Sequence, residues 1–333
     1  MNRVLVTGAT SFLGYHVVKK LNERGIRPHV LVPKNSEPSS VLQKLNVEVI
    51  AGDLNDIAPL VTVFAGIDTI LHLAFLVKLG GGAEMENNMR QANVGGTRCV
   101  VQAAAQAKVP RVVVTGSALA VGVNREPKAL DETSDWNIHR FSLPYAEIRR
   151  EAEQEALANA THETSVVIVC PSFTLGPDDP VGAPANKLVK ALSAGKVPVK
   201  IHVAFGCLDA RDFADGMLRA AEQGRPGQRY ILSGHNLMID EFLGEVTRIA
   251  GSKPPRFTLP KWLALTLVAA IEGFYALKRQ PPPVTRSVLQ IIDRYAWYDT
   301  QLAQTELGWQ PRPFADTVVD TIAWLRQSGG PGG

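Results

Sequence analysis

The fold of this chain is decided near its start, by the stretch Val4-Leu5-Val6-Thr7-Gly8-Ala9-Thr10-Ser11-Phe12-Leu13-Gly14. The apolar run 4–6 predicts a short buried strand, and the apolar residues from Phe12 onward recur with the spacing of one helical face. A strand that turns directly into a helix offers an anion site, because the first helical N–H groups have no partner and the helix dipole is positive there. Gly8 and Gly14 have the spacing of the outer glycines of a dinucleotide-binding turn, and Ser11 stands three positions after Gly8. The glycines alone are equally compatible with an ordinary strand–turn–helix connection.

Composition places the chain among ordinary globular proteins. It has 333 residues, of which 45% are hydrophobic and 20% charged, enough for one large α/β domain with a smaller lobe. The net charge of +3 indicates neither a nucleic-acid partner nor an acidic tail. Because the first strand begins at once, we expect no secretory leader and a cytoplasmic protein. Cys99, Cys170 and Cys207 are far apart in apolar surroundings, so we expect small core residues in a reducing compartment and no metal site.

The first half of the chain alternates strands with helices. Strands are predicted at 28–32, 47–51, 69–73, 111–115 and 165–169, and helices at 41–45, 57–64, 88–107 and 145–160. This alternation predicts an α/β fold, a doubly wound parallel sheet of the Rossmann type, in which ligands bind at the carboxyl ends of the strands.

Two structural regions and a tail are predicted. Residues 1–171, joined by about 206–227, form the dinucleotide-binding Rossmann domain. Beyond 171 the alternation weakens and prolines become common, so 172–205 and 228–327 are assigned to a smaller C-terminal substrate lobe. The glycine-rich end, 328–333, is predicted to be a flexible tail.

At this point the chain resembles the extended short-chain dehydrogenase/reductase family over nearly its whole length. The matching segments are 7–14, 52–54, 72–74, 93–97, 114–118, Tyr145, 171–177, 209–214, Asp299 and 306–311. Their order and spacing together are specific, although each is modest alone. Within the family the chain looks most like the dihydroflavonol-4-reductase-like and sterol-dehydrogenase-like branch.

The resemblance implies a nicotinamide cofactor and a set of residues that bind it. These are the turn residues Gly8, Thr10, Ser11, Phe12, Leu13 and Gly14 at the pyrophosphate, Asp53 and Leu54 at the adenine, Leu73 and Ala74 past the fourth strand, and Pro171 and Phe173 at the nicotinamide. The Ser11 side chain narrows the approach to the pyrophosphate but adds a hydroxyl able to bond it. Asp53 at a strand end can accept from the adenine amino group, or it serves as a helix cap or turn residue.

The end of the second strand selects between NAD and NADP. An acid there would bond the ribose 2′-OH and repel a 2′-phosphate, but Val32-Pro33-Lys34-Asn35-Ser36 contains none before Glu37. Lys34 can hold a phosphate, so we expect a preference for NADP(H), with NAD(H) as the alternative. Many relatives place arginine where Pro33 stands, and a solvated loop lysine is the plainer interpretation of Lys34.

Hydride transfer to a carbonyl needs a proton donor and a hydrogen bond to the oxygen. The resemblance assigns these roles to Tyr145 and Ser117, with Asn93 contributing to the site's geometry; Asn93 is equally readable as a helix residue that bonds a neighbouring backbone. The family's lysine four residues after the tyrosine is here Arg149. Three interpretations are open: Arg149 replaces the lysine in a working enzyme, the protein binds cofactor but turns over poorly, or Arg149 points outward and pairs with Glu153.

Substrate specificity is expected in 75–82, in 119–144 and in the C-terminal lobe. The segment 260–278 predicts a mostly apolar helix, interpreted as a core helix over the substrate pocket, as a membrane-surface helix (261–278) or as a homodimer contact. All three favour a hydrophobic substrate. The sequence therefore predicts an NADP(H)-dependent oxidoreductase that interconverts a hydrophobic ketone or aldehyde and its alcohol. One alternative is a cofactor-binding scaffold or redox sensor that is weakly active or non-catalytic. The other is a sugar epimerase or dehydratase. Phosphate-binding arginines in the C-terminal lobe would support the second alternative, but such arginines cannot be identified from the sequence.

Overall fold

The computed structural model of the protein describes residues 1–34, 41–77, 82–141, 143–278 and 286–327. The sequence positions Asn35, Ser36 and Glu37, and the tail 328–333, lie outside them. In chain order the strands are β1 (Val4–Thr7), β2 (His29–Pro33), β3 (Glu48–Gly52), β4 (Thr69–His72), β5 (Arg111–Thr115), β6 (Ser165–Pro171), β7 (Phe173–Leu175), β8 (Val199–Lys200), β9 (Ala204–Asp209), β10 (Arg229–Leu232), β11 (His235–Met238), β12 (Phe257–Thr258) and β13 (Tyr295–Ala296).

The helices are named in the same way. They are α1 (Phe12–Glu23), α2 (Ile57–Phe64), α3 (Gly82–Arg90), α4 (Gly96–Gln106), α5 (Pro144–Ala158), α6 (Pro184–Ser193), α7 (Ala210–Gln223), α8 (Ile239–Ala250), α9 (Lys261–Leu277), α10 (Arg286–Leu289), α11 (Gln301–Leu307) and α12 (Phe314–Gln327). The short helix predicted at 41–45 is a 3₁₀ turn, Leu42–Lys44.

A seven-stranded parallel sheet forms the larger part of the molecule, in the order β10-β6-β5-β4-β1-β2-β3. This confirms the doubly wound fold predicted from the alternation. One core lies between the sheet and α2, α4 and α5, and a second lies between the sheet and α1, α7 and α11. The chain leaves β1 toward β2 and β3 and returns to β4 on the other side of β1. The ends of β1 and β4 therefore border the crevice where such sheets bind ligands.

A smaller sheet has the order β11-β9-β13, with β7 also paired to β9. Helices α6, α8 and α12 pack on it around Val189, Phe242 and Val318. The observed sheets differ from the predicted boundaries at two strands. β10, predicted in the lobe, lies beside β6 in the main sheet because Tyr230, Ile231 and Leu232 are fully buried there, and β9 within 204–209 belongs to the smaller sheet.

The helix predicted at 88–107 is not continuous. It consists of α3, one π-helical turn at Gln91–Gly95, and α4. Adjacent Gly95 and Gly96 weaken the regular helix at this point, because glycine has low helix propensity. Single π turns are frequent at functional sites, and this one contains Asn93.

α9 is exposed along one side, contrary to the interpretation of a core helix. Trp262 is 68% exposed, Phe274 53% and Leu277 87%, whereas Ala264 and Val268 on the opposite side are buried. Among the described helices, none is both long and apolar enough to cross a membrane.

Candidate active site

The turn between β1 and α1 has a shape that only glycines permit. Gly8 has φ +72°, and a Cβ there would lie 2.6 Å from the backbone of Leu73 and Ala74. A Cβ at Gly14 would lie 2.1 Å from the Gly8 carbonyl oxygen. The end of β4 and the first turn of α1 therefore close in on the same loop, which leaves a narrow cradle lined by backbone.

Ser11 caps α1. Its hydroxyl donates to the Gly8 carbonyl at 2.7 Å and accepts from the Gly14 N–H at 3.1 Å. Because the only proton of the hydroxyl is directed at Gly8, Ser11 has no donor left for the pyrophosphate bond that the sequence raised. The N–H groups of Phe12 and Leu13 have no partner among the described residues, so they are the donors available to an anion. The cradle fits the pyrophosphate of a dinucleotide.

A buried polar network joins the ends of β1 and β4. The Thr7 hydroxyl accepts from the N–H groups of Leu73 and Ala74, both at 3.2 Å, so its proton goes to His72 Nδ1 at 2.8 Å. His72 Nε2 must then carry the ring proton and donate to Thr97 Oγ1 at 3.1 Å. Burial, reinforced by the nearby charge of an arginine described below, lowers the pKa of His72 to about 3, so the ring is neutral. Thr7 and His72 are polar residues at the ends of the apolar strands β1 and β4, and this pattern is visible in the sequence.

The residues that the resemblance assigns to the adenine follow the ends of β2 and β3, which finish side by side with Pro33 paired to Gly52. Asp53 accepts from the Asn55 N–H at 2.9 Å and from its amide Nδ2 at 3.0 Å. These bonds, together with the Lys34 charge, hold the pKa of Asp53 below its usual value. Both bonds use one carboxylate oxygen, Oδ1, so the turn role of Asp53 leaves Oδ2 for an adenine amino group. Leu54 packs half-buried beside them against the core.

The catalytic candidates meet where β5 ends and α5 begins. Ser117 follows β5 and is 5% exposed, and Tyr145 is the second residue of α5. Burial opposes ionisation of the phenol, but the Arg149 charge and hydrogen bonds from Ser117 and Arg149 outweigh it, so the pKa of Tyr145 is lowered. The structure thus brings together the three residues that the sequence grouped, in surroundings that make the phenol easier to ionise.

Arg149 lies inside the site and does not point outward, because its side chain is held on several sides. It is 6% exposed. Nε donates to the Tyr145 hydroxyl and Nη1 to the Thr115 carbonyl, both at 3.4 Å. The guanidinium carbon lies 3.7 Å from the centroid of the Phe75 ring, a cation–π stack. Phe75, expected at the substrate, is therefore also a support for Arg149.

Glu153 does not pair with Arg149 and has a different task. It is 1% exposed, and its Oε1 accepts from the Ser117 N–H at 3.3 Å and from Cys170 Sγ at 3.6 Å. Its Oε2 accepts from Arg229 Nη2 at 2.5 Å. A Cβ at Gly116 would lie 2.4 Å from this carboxylate, so that glycine leaves room for it. Burial raises the pKa of Glu153 to about 7.

This carboxylate fixes the backbone that carries Ser117, and sequence reasoning missed that role. The signal was the spacing of Tyr145, Arg149 and Glu153, four residues apart on one helical face. Tyr145 and Arg149 point into the site, and the same spacing indicates that Glu153 points there as well.

Asn93 clamps the loop after β4. Its amide accepts from the Leu76 N–H at 2.7 Å and donates to the Leu76 carbonyl at 2.9 Å. This contact matches the second of the two equal interpretations, a helix residue that bonds a neighbouring backbone. These bonds hold the loop one residue after Phe75. Asn93 therefore acts on the site by positioning this loop, and its amide takes no part in the chemistry.

The remaining cofactor candidates lie at the end of β6. Pro171 closes β6, and Phe173 opens β7, with its ring 5.3 Å from that of Phe205. The Phe173 side chain therefore packs with the core of the smaller sheet. Cys170 and Cys207 are buried and Cys99 half-buried. Over the described part of the chain, no cluster of His, Cys, Asp or Glu is arranged to hold a metal.

A parallel sheet with a glycine cradle at its switch point and a Ser–Tyr pair beside it defines a nucleotide-dependent enzyme of the short-chain dehydrogenase/reductase type. The model of the NAD dependent epimerase/dehydratase family matches residues 4–233, and the chain belongs to this family. It is thus an NAD(P)-dependent enzyme of the extended short-chain dehydrogenase/reductase superfamily, whose homologues are named as oxidoreductases.

Relatives and solved structures agree with this assignment. The chain is 27% identical to sterol demethylase protein B of Methylococcus capsulatus, over 98% of both chains. It is 29% identical to a 3 beta-hydroxysteroid dehydrogenase/Delta 5-->4-isomerase of Mycobacterium tuberculosis, over 93% of this chain and 86% of that one. Its structure is similar to the crystal structure of gox2253, with a TM-score of 0.85, 32% identity and 99% of each chain covered.

Proposed function

We propose that the protein is an NADP(H)-dependent oxidoreductase that interconverts a hydrophobic ketone or aldehyde and its alcohol. The observation that carries the proposal is the cluster of Ser117, Tyr145 and Arg149, which lies at the same sheet edge as the glycine cradle. In that position the cluster faces a substrate carbonyl while the cradle holds the cofactor.

Each side chain has a definable task. The bound nicotinamide supplies or accepts the hydride at the carbonyl carbon. Ser117 donates a hydrogen bond to the carbonyl oxygen, and Tyr145 gives that oxygen its proton in reduction or removes it in oxidation. The positive charge of Arg149 stabilises the phenolate. Glu153 and Asn93 hold the backbone on either side.

A hydrophobic substrate is supported by the relatives, two of which are named for sterol or steroid chemistry. Preference for NADP(H) is supported at the end of β2. The described residues there, Pro33 and Lys34, include no acid that would repel a 2′-phosphate, and Lys34 provides a cation.

The test is cofactor binding followed by turnover. NADPH fluorescence should report binding, with tighter binding than NADH, and a panel of apolar aldehydes and ketones should then consume NADPH absorbance. Tyr145→Phe should retain NADPH binding but lose about 10²-fold or more in kcat, the usual contribution of general acid catalysis. Binding without turnover on every carbonyl would replace this proposal with the scaffold or redox-sensor alternative.

We further propose that the exposed face of α9 lies on an anionic membrane surface. The face is apolar, and the exposed Lys278 stands just past the end of α9. An apolar helical face with a flanking cation is suited to the boundary between headgroups and acyl chains. A surface position would also bring the enzyme to substrates that partition into lipid.

A further inference from the structure

A cavity of about 380 Å³ lies apart from the glycine cradle and is strongly basic. Arg125 and Arg140 line it from the segment between β5 and α5, and Lys261 and Arg294 line it from the C-terminal part of the chain. The described residues around it include no Asp or Glu. Four cations therefore converge without a compensating carboxylate.

The hydrogen bonds of these cations leave their charge unneutralised. Lys261 Nζ donates to the Ile292 carbonyl at 3.1 Å, and Arg294 Nη1 donates to the Asp293 carbonyl at 3.2 Å. Arg294 Nε is buried and has no partner among the described residues. The Asp293 carboxylate, the nearest in sequence, faces His202 Nδ1 at 3.4 Å.

Several basic groups elsewhere in the protein have carboxylate partners. Arg312 bonds Asp212 at 2.8 Å, and Lys19 bonds Asp178 at 2.7 Å, in a second pocket of similar size near His16. Arg229 is paired with Glu153. Like charges gathered in a concave site without counter-charges raise the local concentration of anions. The basic cavity therefore has the electrostatics of an anion site, and the second pocket does not.

The cavity also lies near the reacting centre. The two segments that form one of its walls, 123–125 and 137–141, are both within the connection between Ser117 and Tyr145. Phe141, beneath Arg294 with the guanidinium carbon 5.6 Å from its ring centroid, precedes Tyr145 by four residues. Four residues span at most about 14 Å even when fully extended. The Cα atoms of Phe141 and Tyr145 are therefore no farther apart than the length of a substrate with an extended apolar middle.

We propose that this cavity binds the anionic end, a phosphate or a carboxylate, of the carbonyl substrate. The proposal rests on the proposed oxidoreductase function and narrows its substrates to molecules with an apolar middle and an anionic end. Arg125 and Arg140 contact the anion from the exposed side, and Arg294 and Lys261 from the inner side. Planar guanidinium groups suit both phosphate and carboxylate oxygens.

Binding is tested first, by calorimetry with inorganic phosphate, pyrophosphate and succinate on enzyme saturated with NADP⁺. The bound cofactor blocks the glycine cradle, so the remaining anion binding reports the cavity. The double variant Arg125→Gln/Arg140→Gln should weaken binding about tenfold or more. Arg27→Gln, which removes another exposed arginine, two residues before β2, should leave it unchanged.

Kinetics supply the second readout. Straight-chain aldehydes with a terminal phosphonate or carboxylate are compared with neutral alkanals of the same length. The double variant should raise KM for the anionic series about tenfold and leave kcat and the neutral series unchanged. Arg294→Met should act in the same direction, and it checks the inner side of the cavity separately.

The outcomes separate the two proposals. Anion binding that is lost in the double variant supports the cavity proposal. If no carbonyl in the panel is then reduced, only the proposed oxidoreductase function is overturned. Turnover of neutral aldehydes with no anion binding, or with equal loss in Arg27→Gln, overturns the cavity proposal and leaves the function standing. Tighter binding of succinate than of phosphate identifies the anion as a carboxylate.

Discussion

At the scale of single residues, the surroundings of Arg149, four residues after Tyr145, show why an arginine is suited to this site. Its flat guanidinium stacks on the Phe75 ring at 3.7 Å while its edge bonds the Thr115 carbonyl. A lysine ammonium is a compact point charge that cannot cover the ring and reach both oxygens in this way. The surroundings of Arg149 thus match a guanidinium better than an ammonium, which supports the interpretation of a working enzyme.

The first prediction concerns this arginine. Arg149→Lys keeps the charge but loses the stack and one hydrogen bond, so kcat/KM should fall about tenfold, equivalent to roughly 1.4 kcal/mol. Arg149→Met removes the charge that lowers the pKa of Tyr145, so the pH limb of alcohol oxidation should move to higher pH. The measurement is the pH profile of kcat/KM for both variants.

The sign follows from the phenolate's role as the base in oxidation: a higher pKa leaves less phenolate at a given pH. Arg27→Gln is the control for loss of a distant positive charge and should keep the profile of the unsubstituted enzyme. A higher activity in Arg149→Lys, or an unshifted limb in Arg149→Met, would show that the arginine does not serve Tyr145.

At the scale of elements, the turn into α1 does two jobs with few atoms. The Ser11 hydroxyl caps the helix, so the donors available to an anion are the backbone N–H groups of Phe12 and Leu13. Gly14 lets the helix approach Gly8 closely enough to aim those N–H groups at one point. The cradle therefore depends on backbone approach and not on side-chain donors.

Gly14→Ala should accordingly weaken NADPH binding at least tenfold, because a Cβ 2.1 Å from the Gly8 carbonyl forces the loop to move. Isothermal titration gives the affinity and thermal unfolding gives the stability. Gly244→Ala in α8 is the matched control: a Cβ there meets nothing within 4 Å, so binding should not change and stability should rise by about 0.5–1 kcal/mol. Equal NADPH affinity in Gly14→Ala and the original chain would contradict the cradle.

At the scale of the whole molecule, the sequence predicts the sheet well because strand and helix periodicity are local properties. It also places Ser117 and Tyr145, since each follows directly from the end of a strand or the start of a helix. It misses the basic cavity because Arg125, Arg140, Lys261 and Arg294 come from distant segments that only the tertiary fold brings together. The strand β10 was missed for a related reason, since a short apolar run does not say which sheet it joins.

Helical periodicity tells which residues of α9 share a face but not which face packs on the protein. The residues exposed along α9 and just past its end, at 262, 266, 267, 270, 271, 273, 274, 277 and 278, fall within about half of the helical circumference. Apart from Thr266 and Lys278 they carry no polar side chain, and Thr266 donates to the Trp262 carbonyl at 2.9 Å. Glu272, on the other side, bonds Arg286 at 2.6 Å. The apolar face of α9 is thus turned outward, and the Glu272–Arg286 ion pair lies on the opposite side of the helix.

This arrangement predicts how the whole molecule meets a membrane. Trp262, 68% exposed, is one of five tryptophans, so its contact is measured as the difference in emission between the protein and Trp262→Phe. With vesicles that contain anionic phosphatidylglycerol, this difference should shift to the blue and be quenched by doxyl-labelled lipid. Binding to phosphatidylcholine alone should be weaker, because the flanking cation then has no anionic partner.

Phe274→Glu should reduce co-sedimentation with the anionic vesicles about tenfold, since it places a charge in the apolar face. Val319→Glu on α12, where the original side chain is 47% exposed, is the control and should bind as before. Concentration-dependent dimerisation that Phe274→Glu abolishes, without vesicle binding, would assign the face to a second copy of the chain instead.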